Sequence, residues 1–206
     1  MRSGPKLLEA TPRIELGMEL LQSSALPLGY VAFGPRFYLR RGSRQTDPSL
    51  DPNQLRDVLA YVPAGVVVVS SRDERGYRGL TASSFVPVSL DPPLVLVCLD
   101  RFSATLEAVT GSGLFNVSLL GRRQEFLADR FSGRAPAVDP GWREVPHRPG
   151  ANGVPIVEGC AAWFECVLQA RYEAGDHEIV VGLTGAAGRG EAEPLVHWQR
   201  SFWGLA

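Results

Sequence analysis

Cysteine and histidine are scarce in this chain, with only three of each in 206 residues. The cysteines, Cys98, Cys160 and Cys166, are odd in number and irregularly spaced. That excludes a disulfide framework and points to a reducing cytosol. A surplus of charge of one sign is also missing. The formal net charge is −1, and neutralising a phosphate backbone needs a basic excess, so a nucleic-acid binder is excluded. No run of about eighteen uncharged apolar residues occurs, so no membrane-spanning helix is expected. Glu9, Glu15 and Glu19 interrupt the N-terminus, and no secretory signal is read there.

Motifs are missing too. No G-x-G-x-x-G follows a strand pattern, and the glycines of 182–190 are wrongly spaced with no helix after them. There is no Walker A sequence, HExxH, CxxC or G-x-S-x-G. His177-Glu178 lacks the second histidine, because position 181 is Val. Cys160 and Cys166 are six apart, on one face if both lie in a strand, with no further ligand near. They are read as core packing, and no metal is expected. The sequon at Asn116-Val117-Ser118 lies within a strand pattern and carries no weight.

What is present is ordinary globular composition, 45% apolar and 21% charged, in a length that suits one domain with a full core. Residues 1–50 differ. They carry seven basic and four acidic residues and are broken by Pro5, Pro12, Pro27 and Pro35. They read as a basic, loosely packed arm with at most a brief helix over 14–21; the alternative is that Tyr30–Leu39 packs on a partner subunit. The folded domain is expected over 51–206.

Asp51-Pro52 is a helix start, with Asp51 as cap and Pro52 in the first turn. Leu55, Val58 and Leu59 give it an apolar face, and Pro63 stops it. Strands are expected at 65–71, 78–89 and 94–99, then a helix at 103–110 capped by Ser103 and ended by Gly111-Ser112-Gly113. A strand at 115–119, a helix at 124–131 with Phe126, Leu127 and Phe131 inward, and strands at 159–173, 178–186 and 195–198 complete the pattern. Residues 132–154 read as loop. Strands dominate, with helices inserted. The fold class is mainly β, a closed antiparallel barrel rather than a parallel α/β sheet.

The corners between strands carry the chemistry. Thr81-Ala82-Ser83-Ser84, Ser89 to Pro93 and Arg101 to Thr105 are rich in hydroxyls and in backbone N–H groups. Such groups suit a phosphorylated, planar ligand. Ser103 and Thr105 open a helix, where free N–H groups and the positive dipole end favour a phosphate; an ordinary N-cap explains Ser103 as well. Asp100 stands beside them, and Arg101 offsets its charge.

Several segments together resemble one known family. They are AGVVVVSS, GLTASSFVPVSLDPPLVLVCL, SAT and FNVSLL in the first half, then QEFLADRFSG, GVPIVEGCAAWFEC, GDHEIVVG and PLVHWQRSFWGL, in that order. This chain resembles the flavin reductases with the split antiparallel β-barrel of the FMN-binding type, over about residues 52–206. The resemblance implies NAD(P)H-dependent reduction of FMN or FAD and delivery of diffusible reduced flavin to a partner monooxygenase. It also implies a homodimer in the cytoplasm. Two other activities are open: a reductase that keeps its flavin and passes electrons to an acceptor such as a ferric chelate, and a non-catalytic flavin-binding module.

The resemblance further implies that Thr81, Ala82, Ser83 and Ser84, with Val88, Ser89 and Leu90, line the flavin ring and ribityl chain. Ser103 and Thr105 would hold its phosphate. Asn116 would hydrogen-bond the flavin or hold a neighbouring loop. Arg130 and Arg134 would reach a phosphate tail or stay solvated. His177, in the GDH segment, would position the nicotinamide, or merely bond Asp176. It would not be an obligatory base, since hydride transfer to flavin needs none. Phe202 and Trp203 would stack over a ring or close the barrel end; the ending SFWGL departs from the Tyr- and Arg-rich tail of many relatives. Trp163 and Phe164 alternate, so one is expected in the core and the other at a subunit interface.

Overall fold

The computed structural model describes residues 50–133 and 141–205. The expectations for the N-terminal arm and for Arg134 lie outside them. In chain order the elements are α1 (Pro52–Leu59), β1 (Ala64–Gly65), β2 (Val67–Asp73), β3 (Gly76–Ala82), β4 (Val86–Leu90), β5 (Pro93–Asp100), α2 (Ala104–Ser112), β6 (Leu114–Leu119), α3 (Glu125–Phe131), β7 (His147–Pro149), β8 (Pro155–Val157), β9 (Ala162–Ala174), β10 (His177–Arg189), β11 (Leu195–Trp198) and β12 (Ser201–Gly204).

Seven strands form one sheet in the order β3-β2-β6-β9-β10-β5-β4, every neighbour antiparallel. Its two edges, β3 and β4, are consecutive in sequence. Three residues, Ser83 to Phe85, join them. Three residues span about 10 Å at most, so the sheet must curl until its edges stand side by side. The edges do not pair with each other. The barrel is therefore split along β3 and β4. The single strand expected over 78–89 is two strands, broken where the chain crosses that split. Ser84, at the crossing, is tied to β5 instead. Its Oγ accepts from the Cys98 N–H at 2.9 Å and donates to the Cys98 carbonyl at 3.1 Å.

Two apolar layers back the sheet. Inside the barrel, Val67, Val69, Val97, Leu99, Phe115, Val117, Cys166 and Val180 pack with Leu106 and Val109 of α2. At Gly182 a Cβ would stand within 3.0 Å of Cys166 and closer still to the Phe115 ring, so only glycine lets that ring fill the barrel. On the other face, Val66, Val68 and Leu120 pack with Leu127 and Phe131 of α3, with Trp142, and with Ile156 and Val157 of β8. Phe126, expected inward, is 59% exposed. The helix starts at Glu125, and its seven residues turn only Leu127, Ala128 and Phe131 to the core.

Cys160 belongs to one layer and Cys166 to the other, so they do not share a face. Cys160 precedes β9 instead of lying in it. All three cysteines are unpaired. Trp163 and Phe164 point to opposite faces as expected, but each packs within the chain. Trp163 lies against the α3 layer under the Arg148 guanidinium, 4.8 Å from its centroid, and Phe164 lies 5.0 Å from Phe85. β12 lies beyond 195–198, the last strand expected. It pairs with β11, and Phe202 packs on the α3 layer. α1 is capped as expected, Asp51 accepting from Asn53 N–H at 2.9 Å. Its apolar face is nonetheless uncovered, with Leu55, Val58 and Leu59 at 44%, 63% and 56% exposure.

Candidate functional site

Two of the three expected corners and the GDH turn meet at one end of β5; the Ser89–Pro93 corner lies at the other. Asp100, its last residue, pairs with His177, the first residue of β10. The Arg101 N–H donates to the Asp176 carbonyl at 3.1 Å, and Arg101 Nη1 to the Gly175 carbonyl at 3.4 Å. Ser84 holds Cys98, two residues earlier on β5. The split corner (Ser83, Ser84), the start of α2 (Ser103) and the β9–β10 turn (Gly175 to His177) are thus gathered.

Local chemistry explains each part. Asp100 Oδ1 accepts from the Phe102 N–H at 2.7 Å, which bends the chain off β5. Ser103 accepts from Leu106 N–H at 3.2 Å and donates to the Asp100 carbonyl at 2.8 Å. The helix begins with the N–H groups of Ala104 and Thr105 lacking an acceptor among the described residues. Gly175, at φ +67°, makes the β9–β10 turn. His177 Nδ1 lies 2.7 Å from Asp176 Oδ1. That hydrogen bond, with the histidine's charge when protonated, holds the Asp176 carboxyl below the ordinary carboxylate range.

Sequence reading did not single out the floor of this site. Outward from the barrel, β5 presents Leu94, Leu96 and Cys98, and β10 presents Ile179, Val181 and Leu183, all half-buried. Ile179 pairs with Cys98 and Val181 with Leu96, so they form one apolar surface with Asp100 and His177 at its end. Tyr172 of β9 and Val86 of β4 flank it, paired with Ile179 and Leu96. The signal was in the sequence: LVLVCL and IVVGL are continuous apolar runs, and strands with one wet face alternate instead.

The other expected residues are distributed as follows. Val88, Ser89 and Leu90 lie toward the opposite end of β5, where Ser89 faces Leu94 across a bulge and Leu90 is 80% exposed. Six residue steps of strand lead from Leu94 to Asp100, about 20 Å, so only an elongated ligand along β5 reaches both groups. Ser83 is exposed and Ala82 packs on the barrel core. Thr81 Oγ1 donates to the Ala128 carbonyl at 2.7 Å. Thr105 is buried, leaving its backbone N–H as its contribution to the corner. Asn116 is wholly buried and bonds Asn152 and the Val154 carbonyl, which is the loop-holding role. Arg130 is committed to the Gly141 and Arg143 carbonyls at 2.9 and 2.7 Å. An open groove of about 550 Å³ beside α3, lined by Arg122, Arg123, Glu125, Phe126 and Asp129, contains none of the expected residues. Among the described residues no cluster of metal-ligating side chains occurs, and no helix is long and apolar enough to cross a membrane.

Residues 59–206 match the family described as the flavin reductase like domain. This chain belongs to that family. It is 43% identical over 137 residues to a probable flavin reductase of Rhizobium meliloti, a match covering 66% of this chain and 43% of that protein. The chain thus spans less than half the length of that relative. It is 37% identical over 148 residues to the reductase component of 4-hydroxyphenylacetate 3-monooxygenase from Thermus thermophilus, covering 71% of this chain and 92% of that protein. Its fold is similar to that of the NADH:FAD oxidoreductase SgcE6 of Streptomyces globisporus C-1027, solved with NAD and FAD fragments. There the TM-score is 0.69 at 34% identity, over 76% of this chain and 96% of that one. The split barrel read from the sequence is the fold of these reductases.

Proposed function

We propose that this protein is an NAD(P)H-dependent flavin reductase that binds FMN or FAD along β5. The observation that carries this reading is the half-covered apolar floor of β5 and β10 ending in a corner of unpaired N–H groups and one exposed imidazole. A planar, apolar ring with a phosphorylated tail has that same division. Bound flavin would accept the hydride of the reduced nicotinamide. The chain supplies position, shielding and electrostatics. Leu96, Cys98, Ile179 and Val181 shield the ring. Val88, Ser89 and Leu90 flank one end. Ser83, Ser84 and the start of α2 at Ser103 to Thr105 meet the tail, where N–H groups and the helix dipole favour a phosphate. His177 orients the nicotinamide. Thr81, Ala82, Asn116 and Arg130 build the walls without touching the ligand.

The relation to a monooxygenase reductase component supports release of reduced flavin to a partner oxygenase. A homodimer would cover apolar surface the single chain leaves open. The three free cysteines fit a cytoplasmic setting. The first experiment follows nicotinamide oxidation by the purified protein with and without added FMN or FAD. Turnover that rises and saturates with free flavin supports the diffusible-flavin reductase. Turnover that needs an acceptor but no added flavin means a retained flavin. Tight flavin binding without oxidation, in folded protein, reduces the chain to a binding module. In His177→Ala, a higher KM for nicotinamide with flavin binding kept is expected; loss of flavin with nicotinamide affinity intact would overturn the role given to His177.

A further inference from the structure

α3 carries charges set against its own dipole. Arg122 and Arg123 stand just before its N-terminal end, and Asp129 lies in its last turn. The positive end of a helix disfavours cations, and the negative end disfavours carboxylates. Asp129 also stands four residues after Glu125, a like-charge spacing that weakens a helix further. Arg130 does not relieve it, being turned to the Gly141 and Arg143 carbonyls. Arg122 lies across β12, where a Cβ on Gly204 would stand 2.5 Å from its Cδ, and it meets Glu193 at 3.3 Å. Arg123, Glu125 and Asp129 are exposed, and their side chains have no partner among the described residues. Phe126 between them is 59% exposed. These five residues line the open groove of about 550 Å³.

We propose that α3 is a self-association surface, on which a second copy of this chain docks across a two-fold axis at Phe126. In an antiparallel pair of helices centred there, residues equally far before and after Phe126 face each other. Arg123 then meets the partner's Asp129, and symmetry repeats the pair. Each Arg123 lies at the negative end of the other helix, and each Asp129 at the positive end, so both dipoles are answered. The two Phe126 rings meet in the groove and leave water. Two arginines stand against two carboxylates, so the surface does not repel its copy. None of the five residues belongs to the floor or the corner assigned to flavin, and the inference stands apart from that function.

The test is light scattering on the full chain with two charge reversals, Arg123→Asp and Asp129→Arg. Each replaces a charge that the helix dipole opposes by one that it favours, so the melting temperature should not fall. The wild type is expected to associate at micromolar concentration. Either reversal alone sets like charges opposite each other, and should weaken association at least about tenfold and halve the mass. An equal mixture of the two variants restores both opposite-charge pairs and should regain the wild-type mass. Phe126→Ala, which leaves every charge in place, should weaken association too. If copies also pair through another face, the same halving is read from a larger assembly. A monomeric wild type overturns the inference. So do reversals that keep the wild-type mass, a mixture that stays dissociated, or Phe126→Ala with wild-type association.

Discussion

Two polar clusters on the same sheet use the same kinds of side chain to opposite ends. One is closed. Ser70 donates to the Pro155 carbonyl at 2.6 Å, Ser118 Oγ accepts from the Val157 N–H at 3.1 Å, and Asn116 and Asn152 exchange amide hydrogen bonds at 2.7 and 3.2 Å. Ser70, Asn116 and Ser118 are fully buried. The other cluster, Ser84, Ser103, Asp176 and His177, satisfies only the bonds needed to shape its turns. Among the described residues it leaves the N–H groups of Ala104 and Thr105 and the His177 Nε2 over. A buried polar group must be paired or it costs free energy. Groups left unpaired at the surface, beside an apolar floor, cost little while water covers them and become useful when a ligand displaces it. The first cluster shapes the fold, and the second is where the proposed function seats a ligand.

The sharpest break between them is Asn116→Leu. It leaves the Asn152 amide and the Val154 carbonyl without their buried partner. Each orphan costs about 1–3 kcal/mol, so a loss of about 3 kcal/mol in unfolding free energy by urea titration is expected. The flavin KM of the folded protein should not move. A raised flavin KM would place Asn116 in contact with ligand and merge the two clusters.

Ile179→Glu inverts that pattern. The residue lies on the outer, half-covered face, so its carboxylate can stay in water, and unfolding free energy should change by less than about 1 kcal/mol. A ring seated on that floor would have to desolvate the charge, and FMN affinity by fluorescence titration should fall at least about tenfold. Unchanged affinity would put the flavin elsewhere.

Much of this architecture was legible in the sequence because local signals agreed with the global fold. Asp51-Pro52 and Ser103 are caps in the structure, and Gly113 ends α2 in the left-handed region at φ +68°. The break at Ser83 to Phe85 was half legible: Thr81 to Ser84 reads as a polar corner, yet a strand was expected to run through it from 78 to 89. TASSFVPV continues a strand pattern, and only the closing of the barrel requires the chain to cross there. Asn116 was ambiguous for a related reason: its type fits ligand binding and loop holding equally, and the choice depends on Asn152, thirty-six residues away. The floor was overlooked because a continuous apolar run announces two covered faces without saying what covers the second.

Ser103→Ala tests the corner with a smaller effect. The cap is lost, costing about 1 kcal/mol of stability. If the start of α2 also holds a phosphate, FMN affinity should fall several-fold while that of riboflavin, which has no phosphate, stays the same. An equal change for both would reduce Ser103 to a cap.

The mildest probe leaves the sequence alone and compares the thiols. Cys166 lies inside the barrel, where burial pushes its pKa up to about 11, and burial also raises that of Cys160. The thiolate is the reactive species, so at pH 8 a group at about 11 is ionised in roughly one molecule per thousand. Cys98 is half-exposed on the floor beside Ile179. A thiol-specific reagent at pH 8 should therefore modify one cysteine per folded chain, at Cys98, and saturating FMN should slow that reaction. Protection requires the flavin to lie over β5. Rapid labelling that FMN leaves unchanged would show that the outer face stays open when flavin is bound, and would move the ring off the floor assigned to it.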